Sequence, residues 1–70
     1  MRGKVVWIDP TNSELSKVQI DGSYLVLIEL LGHEVEIGDE IKGDLENLGG
    51  ETLYNVTQQE YIDVFIQDLY

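Results

Sequence analysis

Punctuation governs what this chain can become: short runs of β-branched, aromatic and aliphatic residues are cut, one after another, by glycine, proline and aspartate. Residues 3–9, Gly-Lys-Val-Val-Trp-Ile-Asp, are strand formers that stop at Asp9-Pro10, where proline withdraws a ladder donor. Thr11-Asn12-Ser13 supplies turn chemistry. Leu15, Lys17 and Gln19 then alternate with Ser16, Val18 and Ile20 up to Asp21-Gly22, a strong short-range hairpin signal. The run that follows, Tyr24 to Leu30, is apolar nearly throughout, which suits a strand covered on both faces or one with a sticky outer face. Leu31-Gly32-His33-Glu34 breaks the pattern, and a tight turn at Gly38-Asp39 feeds a fourth strand near 40–45. Gly49-Gly50 permits positive φ before a fifth strand at 52–56.

The tail reads two ways. Thr57-Gln58-Gln59-Glu60 spells a helix capping box, and Ile62, Phe65, Ile66 and Leu69 fall at helical spacing, yet Tyr61, Ile62, Val64, Phe65 and Ile66 are all strand formers. The strand-forming types favour a sixth strand in the C-terminal extension, 58–70. No linker divides the chain, so residues 1–70 form one domain. Short strands with abundant turn signals predict an all-β fold, a small closed five-stranded barrel plus that extension, because closure removes long exposed edges. A chain of 70 residues with no cysteine has neither a disulfide nor a thiolate metal site to lean on, and its compact core must come from apolar packing and backbone ladders.

Three stretches carry a family resemblance. Gly3-Lys4-Val5-Val6-Trp7, Glu36-Ile37-Gly38 followed by Ile41, and Asn55-Val56-Thr57 resemble the opening strand, the acidic-x-glycine turn and the end of the fifth strand of the cold-shock domain, an oligonucleotide/oligosaccharide-binding type of barrel. The likeness implies the barrel and hardly the activity. Cold-shock domains stack bases on two aromatic-rich segments, and at the matching places this chain has Ser13-Glu14-Leu15-Ser16-Lys17-Val18 and Leu25-Val26-Leu27-Ile28-Glu29-Leu30. Only Trp7 remains of that platform, and each lost stacking ring removes about 1–3 kcal/mol per base. The loop before the fourth strand is also shortened, to roughly 31–36.

Charge points the same way. Four basic residues against fourteen acidic ones leave a net charge of -10, which repels polyanions. The acids concentrate from Glu29 to Glu51, with only Lys42 and His33 to oppose them, either as a solubilising surface or as a lure for a basic partner. Arg2, Lys4 and Lys17 lie on the two strands that hold the family's binding surface, which keeps a weak single-stranded nucleic-acid reading alive. Strand alternation puts Trp7 with Gly3 and Val5, opposite Val6 and Ile8, and does not settle which side is the core. In the family's orientation Trp7 is partly exposed beside Tyr24 and Leu25, an apolar patch suited to a protein partner.

Enzyme chemistry finds no footing. There is one histidine and no cysteine, and Ser13, Ser16 and Ser23 sit at turn or edge positions, so no nucleophile and base are paired. Glu34 with Glu36, or Asp39 with Glu40, would need a substrate cleft that so short a chain seldom builds. No calcium-loop spacing is present and no metal or cofactor is expected. Asn55-Val56-Thr57 spells a glycosylation sequon, which has no meaning without secretion. The start at Met1 runs straight into patterned sequence and no run approaches membrane-spanning length, which points to the cytoplasm and away from a membrane. The expected function is a non-catalytic protein-interaction module using Trp7, Tyr24, Leu25, Lys4 and Lys17. A degenerate nucleic-acid binder and an acidic mimic of nucleic acid are the alternatives.

Overall fold

A computed structural model describes residues 1–70. The chain forms six strands and no helix: β1 (Arg2–Ile8), β2 (Leu15–Ile20), β3 (Tyr24–Leu30), β4 (Glu40–Lys42), β5 (Gly49–Asn55) and β6 (Glu60–Leu69). Every pairing is antiparallel, and the ring β1-β2-β3-β6-β5-β4 closes where β4 returns to β1. The expected closed all-β barrel is therefore what the sequence builds, and its shape is compatible with small barrels of the cold-shock kind. Two meanders, β1-β2-β3 and β4-β5-β6, meet at two seams. At one, Gly3 pairs with Ile41; at the other, Ile28 pairs with Ile66.

The tail is the sixth strand. It is also a full stave, standing between β3 and β5 and not appended outside the ring. Its capping-box residues serve a turn instead of a helix. Thr57 Oγ1 accepts a hydrogen bond from the Glu40 amide at 2.9 Å, Asn55 Oδ1 accepts one from the Gln58 amide at 3.1 Å, and Gln59 takes φ 59°. The fourth strand is shorter than its sequence suggested. It ends at Lys42 because Gly43 adopts φ 144° and leaves strand geometry, while the fifth begins earlier, at Gly49.

The hairpin at Asp21-Gly22 forms as the dipeptide demands, with φ of 41° and 73° and the Ser23 amide bonded to the Ile20 carbonyl at 2.7 Å. Such paired positive φ values match the right-handed twist of the flanking strands. Alternation then sorts β3: Val26, Ile28 and Leu30 are buried, whereas Leu25, Leu27 and Glu29 stay half-buried outside. The apolar third strand is thus of the sticky-outer-face kind. Thirteen buried aliphatic residues fill the barrel, with contributions from every strand, and each such side chain contributes about 1.5–3 kcal/mol relative to exposure.

One corner is held by polar chemistry. Asp39, 4% exposed just before β4, accepts three hydrogen bonds on Oδ2: from Asn55 Nδ2 at 2.9 Å, Gln58 Nε2 at 2.7 Å and the Glu36 amide at 3.0 Å. Its carbonyl takes the Val5 amide at 2.9 Å, so one residue ties together β1, the turn before β4 and the end of β5. Burial pushes the Asp39 carboxyl up, but the bonds from Asn55, the Glu36 amide and Gln58 together outweigh it and leave its pKa below the ordinary 3.8.

A candidate docking face on the outer sheet

β1 does not alternate cleanly. Val5 pairs with Val18, Trp7 pairs with Lys17, and Val6 is the extra residue of a β-bulge between them. The bulge resets the pleat: Val5 is buried, Trp7 swings to the outside, and Ile8 turns back to pack against the core. Trp7 is therefore half-buried on the outer surface, on the opposite side from Val5.

Rows across the sheet place its neighbours. One row runs Trp7, Lys17, Leu27 and Asp68; the next runs Lys4, Gln19 and Leu25, and Leu25 exchanges both backbone hydrogen bonds with Tyr70 at 2.6 and 2.8 Å. A third row holds Leu15, Glu29 and Phe65. Phe65 and Tyr70 are 43% and 52% exposed, and Leu15, Leu25 and Leu27 are half-buried, so large apolar side chains recur on the outside of β2, β3 and β6, interspersed with Gln19, Glu29 and Asp68, with Trp7 at their margin. The Lys17 ammonium stands over two rings at once, 4.5 Å from the centre of Trp7 and 5.4 Å from that of Tyr70.

Of the residues singled out from sequence, Lys4, Trp7, Lys17 and Leu25 share this face. Tyr24 does not. It lies on the other side of β3 from Leu25, packs against the core, and donates its hydroxyl to a Glu46 carboxylate oxygen, a bond that raises its pKa. Sequence reasoning missed Phe65 and Tyr70, which join the face only because β6 pairs with β3. It also misplaced Ser16, which is fully buried inside β2 opposite Ile8 and Ile28, its hydroxyl without a partner.

All four basic residues lie on the outside of three adjacent staves: Lys17 on β2, Arg2 and Lys4 on β1, and Lys42 on β4. Arg2 faces Lys42 directly across the seam and turns to an ion pair with Glu40. An open groove of roughly 710 Å³ runs beside two of them, Arg2 and Lys4, and is lined also by Val6, Gln19, Asp21 and Glu40. His33, in the loop between β3 and β4, lies 3.9 Å from Asp63 and lines an open depression with Ser13, Glu14 and Glu60. No cluster of three or more His, Cys, Asp or Glu side chains is arranged to hold a metal ion. No helix is long and apolar enough to cross a membrane. No family model, no curated protein and no solved structure matches this chain.

Proposed function

We propose that the protein is a non-catalytic docking module whose contact surface is the outer face of β1, β2, β3 and β6. The gathering of Leu15, Leu25, Leu27, Phe65 and Tyr70 on one outer side, with Trp7 beside them, carries this reading. A domain of this size has little reason to leave so many large side chains half-uncovered on one side, and such patches mark protein interaction sites. Aromatic residues with low rotamer entropy are the usual anchors of an interface.

The test is photo-crosslinking from single positions in an extract of the protein's own cells. A photoreactive residue at Leu27 should give a discrete protein adduct. One at Thr52, on the outer side of β5 and outside this face, should give none, and Leu25→Glu should abolish the Leu27 adduct. Equal adducts from both positions would refute the assignment of this face.

A second reading has one observation behind it, the gathering of all four cations on β2, β1 and β4 beside Trp7. Weak single-strand binding would show as saturable, salt-sensitive quenching of Trp7 on titration with single-stranded DNA or RNA. A flat titration would remove it. The net charge of -10 opposes it at long range.

A further inference from the structure

Lys17 has many acids to choose from, yet no carboxylate oxygen lies within ion-pair distance of it. Its ammonium is held by two rings, Trp7 and Tyr70, both within the roughly 6 Å reach of a cation–π interaction. The rings come from opposite sides: Trp7 from β1, which precedes β2 in the ring, and Tyr70 from beyond β6, paired to Leu25 of β3. Between them lie Leu25 and Leu27. Two rings that both reach the same ammonium, with Leu25 and Leu27 beside it, make a slot that already holds one cation.

We propose that this slot receives the cationic side chain, arginine first, of a basic segment on a partner protein, and that Lys17 is its internal occupant in the free protein. The proposal rests on the docking face argued above and names the chemistry of its partner. Three features of the molecule support a basic occupant over an apolar one. The net charge of -10 draws cations from a distance. Asp68 stands in the same row as Lys17, and Glu29 in the next, placed to meet further basic residues of the segment. A guanidinium is planar, weakly hydrated and stacks on aromatic faces, so it competes well with an ammonium for the same rings. When it enters, Lys17 swings out to solvent, where its charge is hydrated at little cost.

Self-occupancy makes the proposal testable. An internal ligand that fills the slot most of the time weakens an incoming cation by the fraction of time the slot is free, about three- to sixfold for a contact of ordinary cation–π strength. Lys17→Met keeps the apolar stem and removes the ammonium. It also adds one net negative charge, so Lys42→Met on β4, away from the rings, is the control. The probe is a fluorescein-labelled oligo-arginine peptide read by anisotropy at moderate salt, with amide shifts as a map.

K17M should bind about three- to sixfold tighter than the parent, K42M should stay within about twofold, and Trp7→Leu and Tyr70→Leu should each weaken binding severalfold while the barrel's far-ultraviolet spectrum is kept. Equal tightening by K17M and K42M, or unaltered affinity in W7L and Y70L, overturns the slot. If the shifts then still centre on Leu25 and Leu27, the docking face stands with a different partner chemistry. Shifts confined to the acidic stretch from Glu34 to Glu51 overturn both.

Discussion

Removing the Asp39 carboxylate tests the corner that locks the barrel. In Asp39→Ala three donors lose their acceptor, and they are not equivalent. Asn55 is fully buried, so its Nδ2 is left dry and unpaired, which costs about 1–3 kcal/mol. Gln58 is exposed and the Glu36 amide lies at the surface, so water replaces the carboxylate there and each loss is about 1 kcal/mol or less. Relief of the carboxylate's own desolvation offsets part of this, leaving an expected loss of about 2–4 kcal/mol, a large share of the stability of so small a domain. Asp39→Asn can set its amide oxygen where Oδ2 stands but lacks the charge, and should lose less, about 1 kcal/mol.

The pH dependence carries the sign. The folded pKa of Asp39 lies below 3.8, so its ionic contribution is complete above that value and is lost as pH falls from there through the folded pKa. The gap between parent and D39N should therefore be full near neutrality and close as pH falls below about 4. Urea titrations at several pH values, followed by Trp7 fluorescence and by circular dichroism, measure both quantities. A D39N deficit that persists unchanged in acid, or a D39A loss that adds simply to that of Asn55→Leu, would show that the carboxylate and Asn55 do not work as one unit.

Ser16→Ala should raise the urea midpoint, by about 1 kcal/mol in stability, since it deletes a buried hydroxyl that makes no hydrogen bond. Gly3→Ala should destabilise by about 1–3 kcal/mol, because the added Cβ would sit 2.6 Å from Val18 Cγ1 and 2.7 Å from the Gln19 carbonyl oxygen, and a backbone atom cannot step aside; thermal unfolding reads it. Deleting Val6 removes the bulge and leaves Val5 facing in, Trp7 out and Ile8 in by ordinary alternation, with the pairing to β2 kept. The expected result is a variant that still unfolds cooperatively in urea, and loss of the near-ultraviolet dichroism of the folded barrel would disprove Val6 as a lone extra residue.

Much of the barrel could be read from residues whose meaning is local. Asp21-Gly22 needs positive φ whatever surrounds it, and Gly38, at φ 94° in the turn from Glu36 to Asp39, is the same kind of signal. The sixth strand was legible in its residue types, although the capping box argued against it until Asn55 and Glu40 were seen to claim its hydrogen-bonding groups. The face was legible only in part. A bulge has no side-chain signature, so alternation put Trp7 with Val5 when the ladder puts it on the other side. Tyr24 and Leu25 are neighbours in sequence and therefore point to opposite sides of the sheet. Tyr70 looks like an idle terminal residue until its pairing with Leu25 is known. Asp39 was one acid in an acidic run, and only its distant partners, Asn55 and Gln58, set it apart.

The two seams have a kinetic meaning. The hairpins β1-β2, β2-β3 and β5-β6 join near neighbours in the chain and can form and dissolve on their own, whereas Gly3 meets Ile41 and Ile28 meets Ile66 only after more than half the chain has been looped. Loop closure is thus incurred twice before the interior is sealed, and neither meander alone encloses an apolar centre. Refolding should be governed by those remote encounters, in the millisecond-to-second range typical of β-rich domains, with the hairpins in rapid exchange beforehand. A proteolytic cut or a mechanical pull at either seam then acts on all six strands together, since no smaller piece of the ring has an inside to retreat to.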